Sequence, residues 1–201
     1  MTANVSPQVY ENGVRQVAGG VILVPATTIP RPADYHVLLI TSRSDPSKWI
    51  LPQGGYEEDD SSPRYAAARE TWEESGVRFT DEAHFSHLGK VYVNKTVAPQ
   101  QVWWYSYVAT RTAPSTGGSS FEEHDSGDEP VVFECNDKDW LEGSLRKRRW
   151  FPLIEARRIV TRKHMAAALE MAIDHCDLFV ETNPKALDDT TIPVYKSTPP
   201  R

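Results

Sequence analysis

Residues 55–77, GYEEDDSSPRYAAARETWEESGV, decide the fold of this 201-residue chain. The stretch predicts a helix over 63–75, about three to four turns long. Ser62 is a suitable N-cap, and Pro63 fits the first helical position, where its missing N–H has no intrahelical partner to lose. Gly76 predicts the C-terminal end of the helix.

The predicted helix carries a set of acidic side chains on one face. Glu70, Glu73 and Glu74 stand at positions i, i+3 and i+4, so their carboxylates lie close together and repel one another. Arg69 can offset part of this repulsion by pairing with Glu73. A hard divalent cation such as Mg²⁺ or Mn²⁺ would relieve the rest. The alternative is a solvent-exposed acidic face, but glycines before the helix favour close approach of a ligand to the backbone.

The flanking sequence predicts alternating strands and helices. Buried strands are expected at 16–24 and 35–42, because both segments are rich in β-branched and aliphatic residues. Further strands are predicted at 77–93, 100–111 and 146–153, helices at 154–161 and 164–175, a short apolar segment at 49–51, and a loop at 52–62.

Length and composition predict one globular domain over 15–180. An N-terminal arm is expected at 1–14, an acidic insertion containing Ser and Gly at 112–142, and a C-terminal tail at 181–201. Hydrophobic residues make up 39% of the chain, enough for a folded core. A monomer is the default prediction.

The net charge of −6 argues against a general nucleic-acid binder or a ligand of anionic membranes. A polyanionic substrate would need a local basic patch or a metal. Two cysteines cannot form a disulfide scaffold, and the N-terminus lacks the pattern of a signal peptide. We therefore expect a soluble protein in the cytoplasm, with the nucleus as a second location.

The stretch at 55–77 resembles the Nudix box, G-x5-E-x7-R-E-U-x-E-E-x-G-U, in which U is apolar. The positions in register are Gly55, Arg69, Glu70, Glu73, Glu74, Gly76 and Val77. There are two departures: Ser61 stands at the first Glu position, with Asp60 one residue earlier, and Thr71 stands at an apolar position. The segments KWILPQGGYEEDD, RETWEESG and RKRRWFPLIEA resemble diphosphoinositol polyphosphate phosphohydrolases, especially fungal ones, which usually have Lys in place of Gln53.

The resemblance implies an α+β fold in which a mixed β-sheet is sandwiched between helices. It also implies divalent metal, Mg²⁺ or a substitute such as Mn²⁺, held by Glu70, Glu73, Glu74 and the carbonyl of Gly55. Glu70 or Glu74 would deprotonate the attacking water, and Arg69 would orient the glutamates.

A basic cluster is expected to bind the phosphates of the substrate. The predicted substrate-binding residues are Arg15, Ser42, Arg43, Lys48, Gly54, Gly55, Arg146, Arg148 and His164, with Lys147 and Lys163 as further basic candidates. The alternative is a solvated basic edge. Trp103 and Trp104 are expected in the core, with stacking on an adenine as the alternative.

Three functions remain open from the sequence. The first is hydrolysis of diphosphoinositol polyphosphates, with diadenosine polyphosphates and inorganic polyphosphate as further substrates. The second is a Nudix pyrophosphatase of another nucleoside diphosphate derivative, such as ADP-ribose or an RNA cap. The third is a phosphate-binding module without catalytic activity.

Overall fold

The computed structural model describes residues 6–25, 34–78, 85–95, 98–108, 134–135 and 140–182. Its elements are β1 (Tyr10–Glu11), β2 (Val14–Pro25), β3 (Tyr35–Thr41), β4 (Trp49–Ile50), β5 (Gln53–Gly55), α1 (Pro63–Ser75), β6 (Val77–Arg78), β7 (Ser86–Val93), β8 (Gln100–Val108), β9 (Glu134–Cys135), β10 (Arg148–Pro152), α2 (Leu153–Ile159) and α3 (Lys163–Thr182). Parts of five predicted segments lie outside the described residues: 1–5 of the arm, 79–84 of the strand at 77–93, 109–111 of the strand at 100–111, 112–133 and 136–139 of the insertion, and 183–201 of the tail.

The main sheet is mixed and has the order β10-β3-β2-β8-β7. Strand β2 runs parallel to β8, from Arg15 opposite Gln100 to Leu23 opposite Val108. On its other edge β2 pairs first with β5 and then with β3, both antiparallel. Strand β5 leads directly toward α1. By pairing with β5, the central strand β2 therefore positions the loop and the helix that hold the acidic side chains.

Helices cover both faces of the sheet. Ala18 and Ile22 of β2 pack in one core cluster with Ala66 and Ala67 of α1. On the opposite face, side chains of β2 pack in a second cluster with apolar side chains of α2 and α3, including Leu153, Met165 and Leu169. The predicted α+β class, with a mixed sheet sandwiched between helices, is confirmed.

Helix α1 begins and ends at the predicted residues. The hydroxyl of Ser62 accepts a 3.1 Å hydrogen bond from the N–H of Tyr65, and Gly76 ends the helix with φ 72°. Thr71 is fully buried, and its hydroxyl donates to the carbonyl of Ala67 at 2.7 Å. A polar residue is therefore tolerated at the apolar motif position, because the helix backbone satisfies its hydroxyl.

The predicted element boundaries are wrong in several places. The expected loop at 52–62 contains β5, whose glycines pair with β2. The segment predicted as one strand at 77–93 contains two separate strands, β6 and β7, and α3 continues to Thr182. Within the segment predicted as an N-terminal arm, Gln8 forms a bridge with Glu57 and β1 pairs with β2.

Of the helices in the described part of the chain, none has the length and apolar character that a bilayer span requires.

Candidate active site

Glu70 lies against the backbone of β5. A Cβ atom added to Gly54 would stand 2.0 Å from Glu70 Oε2, so glycine at this position makes room for the carboxylate. Glu70 is buried, and this burial raises its pKa to about 8, with Glu74 and Glu73 adding to the shift and Arg69 opposing it. The ionised form of Glu70 therefore needs more positive charge than Arg69 supplies.

Glu74 is the second buried carboxylate of α1. Its Oε2 accepts a 2.9 Å hydrogen bond from the backbone N–H of Gln53, and its Oε1 accepts from Arg146 Nη2. Burial raises the pKa of Glu74 to about 7, although Arg146 and the Gln53 N–H favour the charged form. Glu74 thus connects α1 to the chain segment that precedes β10.

Arg69 connects the loop before α1 to the glutamates. Its guanidinium makes two 2.8 Å contacts with the Asp60 carboxylate and donates to the Gly55 carbonyl at 2.9 Å. Its Nη1 lies 3.0 Å from Glu70 Oε1 and 3.3 Å from Glu73 Oε2. The predicted pairing of Arg69 with Glu73 is confirmed. The Gly55 carbonyl, which the resemblance suggested as a metal ligand, accepts a hydrogen bond from Arg69.

The sequence did not reveal the role of Asp60. Its side chain is 3% exposed, and besides holding Arg69 it accepts a 2.9 Å hydrogen bond from the N–H of Glu57. Asp60 therefore fixes both the loop and the arginine. The sequence feature that could have revealed this role is the position of Asp60, one residue before Ser61, which stands at the first Glu position of the motif.

A pocket of about 450 Å³ opens beside Glu74. It is lined by Ser42, Arg43, Ser44, Ile50, Gln53, Glu74, Arg146 and Arg162. Three of the predicted substrate-binding residues, Ser42, Arg43 and Arg146, thus meet at one place. Arg162 was not predicted, because it stands just before α3 outside any motif, and the sequence named the adjacent Lys163 as a candidate instead. Lys163 is exposed, whereas Arg162 lines the pocket.

The other predicted basic residues do not line this pocket. Arg15 donates to Gln8 Oε1 at 2.7 and 3.1 Å. Lys48 pairs with Asp45 at 2.8 Å on an exposed loop. Arg148 donates to the Ser75 carbonyl at the end of α1 at 2.6 Å. Lys147 is exposed. These contacts hold neighbouring backbone and side chains in place.

His164 does not line the pocket but contacts one of its lining residues, Gln53. One ring nitrogen is 3.1 Å from Gln53 Oε1, and the ring stacks on Trp104 with centroids 6.2 Å apart. Burial lowers the pKa of His164 to about 4, with the charges of Arg162 and Lys95 adding to the shift. His164 is therefore neutral near pH 7 and adds no positive charge to the site.

The two strand tryptophans differ in environment. Trp104 is fully buried, which confirms the core prediction and leaves no face for an adenine. Trp103 donates from its indole N–H to Gln16 Oε1 at 2.9 Å. The Lys90 ammonium lies 3.3 Å from the centroid of the Trp103 ring, so this aromatic face already carries a cation.

The glutamates of α1 suit a hard metal ion by their chemistry. Glu70, Glu73 and Glu74 offer oxygen donors of the kind that Mg²⁺ prefers, and burial raises the pKa of all three. Within the described ranges, no three His, Cys, Asp or Glu side chains are already arranged as a metal site. In this arrangement Arg69 and Arg146 supply the positive charge.

The sequence also matches a known protein family. The model of the NUDIX domain family matches residues 22–170. Nudix hydrolase 21, chloroplastic, of Arabidopsis thaliana is 30% identical over 141 residues, which are 70% of this chain and 58% of that protein. Diphosphoinositol polyphosphate phosphohydrolase 2 of Rattus norvegicus is 50% identical over 43 residues, 21% of this chain and 24% of that protein. The matches therefore span less than two thirds of either relative.

Solved structures share the fold at low sequence identity. The NUDIX domain of Shewanella oneidensis NrtR, solved with ADP ribose, has a TM-score of 0.52 and 15% identity, with 86% of this chain and 94% of that chain covered. A NUDIX hydrolase of Nitrosomonas europaea has a TM-score of 0.50 and 14% identity, with 81% and 90% covered. Since the family model spans more than half of the sequence, the chain belongs to the NUDIX domain family.

Proposed function

We propose that the protein is a metal-dependent hydrolase that cleaves the pyrophosphate group of diphosphoinositol polyphosphates. Diadenosine polyphosphates and inorganic polyphosphate are proposed as further substrates. One observation carries the proposal: three arginines, Arg43, Arg146 and Arg162, line a single pocket that also contains the buried carboxylate of Glu74.

The pocket chemistry favours a ligand rich in phosphate. Arginine binds phosphate through parallel N–H donors, and serine hydroxyls add donors at the same place. Arg162, which lines the same pocket, adds a third guanidinium. None of the described lining residues is aromatic, which gives a nucleobase little surface to stack on.

The name of one relative supports the same proposed substrate class. The rat protein with 50% identity over 43 residues is named a diphosphoinositol polyphosphate phosphohydrolase. The Arabidopsis relative, which matches a longer segment, is named as a Nudix hydrolase without a substrate. The choice of inositol pyrophosphates thus depends on the arginine pocket together with the shorter match.

The charged residues of α1 would have different roles in catalysis. Glu70, Glu73 and Glu74 would hold the divalent metal, which when bound supplies positive charge to the phosphate oxygens and acidifies a water. Glu70 or Glu74 would accept the proton of the attacking water. Arg69 keeps the carboxylates of Glu70 and Glu73 in place, while Arg146 and its neighbours hold the substrate phosphates in line.

Parallel assays with Mg²⁺ test the proposal. We expect phosphate release from a diphosphoinositol polyphosphate, and a loss of turnover by orders of magnitude in Glu70→Gln, with the fold retained. Turnover of ADP-ribose or capped RNA alone would overturn the substrate assignment. Tight binding of the inositol pyrophosphate without phosphate release in any divalent metal would point to a binding module instead. A cytoplasmic or nuclear location and a monomeric state stay predictions from the sequence.

A further inference from the structure

Glu142 places a carboxylate at the arginines of the pocket. It lies in the turn before Arg146, and its backbone N–H donates to the Glu73 carbonyl at 3.1 Å. Its Oε2 accepts a hydrogen bond from Arg146 Nε, and its Oε1 lies 3.6 Å from Arg43 Nη1. A single carboxylate thus contacts two of the three arginines that line the pocket.

This carboxylate uses the donors that a phosphate would use. A phosphate oxygen and a carboxylate oxygen accept from guanidinium N–H groups with the same geometry. Arg146 is only 6% exposed in its side chain, so few of its donors can be reached from solvent. A phosphate that binds Arg43 and Arg146 therefore has to displace Glu142 or share the arginines with it.

Arg146 has two anchors besides Glu142. Its Nη1 donates to the Thr41 carbonyl at 2.9 Å, and its Nη2 donates to Glu74. Losing the contact with Glu142 would therefore free the Nε donor while two anchors of the guanidinium remain. This arrangement argues against a role for Glu142 as the support of Arg146.

Glu142 also adds negative charge near the glutamates of α1. Burial raises the pKa of Glu73 and of Glu74, and the charge of Glu142 contributes further to both shifts. The carboxylate thus opposes the approach of any anion to this part of the site.

We propose that Glu142 is an internal competitor for substrate phosphate and so a residue that determines substrate affinity. The inference rests on the proposed function, because it assumes that a phosphate of the substrate binds Arg43 and Arg146. Ligands with several phosphates can displace the carboxylate, since they gain the contact with Arg162 at the same time. Ligands with one phosphate exchange one anion for another and gain little.

Calorimetric titration of the full chain with inositol hexakisphosphate, without added metal, tests the proposal. This probe has no pyrophosphate group, so binding is measured apart from turnover. We expect Glu142→Gln to tighten binding by about three- to tenfold. Glu142→Asp keeps the charge but is one methylene shorter, so it should tighten binding less. Glu155→Gln, on an exposed position of α2, removes the same charge outside the pocket and should change affinity little.

The outcomes separate this inference from the proposed function. Unchanged or weaker binding in Glu142→Gln, in a variant with the wild-type thermal midpoint, would overturn the inference, whatever the wild type hydrolyses. If Glu142→Gln does not fold, the aspartate variant decides, and no gain in affinity there would overturn it too. An equal gain in Glu155→Gln would show a general charge effect and would also overturn it. A wild type that neither binds nor hydrolyses any polyphosphate would instead overturn the proposed function.

Discussion

The carboxylate of Glu70 rests directly on Gly54, so that a Cβ atom at Gly54 would stand 2.0 Å from Glu70 Oε2. A strand residue and a helix residue, 16 positions apart (70 − 54), thus occupy complementary space. The absence of a side chain at Gly54 is what allows Glu70 to lie against β5.

Gly54→Ala should lower activity more than it lowers stability. The added methyl group meets the carboxyl end of the Glu70 side chain rather than backbone. Rotation about the side-chain bonds can move that end away, so the fold should survive with the carboxylate displaced. We expect turnover to fall by about 10- to 100-fold. Steady-state assays with parallel thermal unfolding measure the two effects. In a Glu70→Ala background the same substitution should have little further effect on turnover, and a full additional loss there would contradict this explanation.

The stability of the metal-free protein should depend on the ionisation of Glu70. Its ordinary pKa of 4.5 rises to about 8 in the folded protein, so folding favours the protonated carboxyl. The contribution of Glu70 to the free energy of unfolding is greatest below about pH 4.5 and declines as the pH rises to about 8. As the pH rises from about 5 to 8, the free energy of unfolding of Glu70→Gln should therefore increase relative to that of the wild type, by roughly a few kcal/mol.

Urea unfolding of the two proteins in chelator across that pH range measures the difference. With saturating Mg²⁺ the wild type should regain stability at high pH, because the metal binds the ionised carboxylate. A stability difference that does not change with pH in chelator would show that Glu70 is ionised in the metal-free fold.

Asp60→Asn should weaken both the fold and the site. Asp60 makes two 2.8 Å contacts with Arg69, and breaking a largely buried pair leaves the arginine without its main partner. We expect a loss of about 2–4 kcal/mol in the free energy of unfolding and a lower kcat, since Arg69 also holds Glu70. The neighbouring exposed Asp59→Asn removes the same charge and should leave the urea midpoint unchanged. Equal effects of the two substitutions would contradict a specific role for Asp60.

Arg162→Gln should raise KM for a phosphate-rich substrate by about 3- to 30-fold with little change in kcat. Arg162 lines the pocket, whereas the adjacent Lys163 is exposed. Lys163→Gln therefore serves as the matched control and should behave like the wild type. A drop in kcat alone for Arg162→Gln would place Arg162 in the chemical step rather than in substrate binding.

Local signals in the sequence predicted the helix but not the whole site. The ends of α1 follow from Ser62, Pro63 and Gly76, because caps act through hydrogen bonds within the first and last turns. The sequence predicts a loop for the glycines of β5, because their strand conformation depends on pairing with β2, which is distant in the sequence. Arg162 and Asp60 were missed for a similar reason: each acquires its role only through contacts that the folded chain creates.

The positive partners of the two buried glutamates differ in how far away they lie along the chain. Arg69 is adjacent to Glu70 and nine residues from Asp60, so this group can assemble as soon as the helix forms. Arg146 follows Glu74 by 72 residues, and the ribosome needs about 4 to 14 s to add them. During synthesis Glu74 therefore lacks its arginine partner until residue 146 has been added. We expect the Glu74 carboxylate to stay exposed to water in a nascent chain that ends before residue 146.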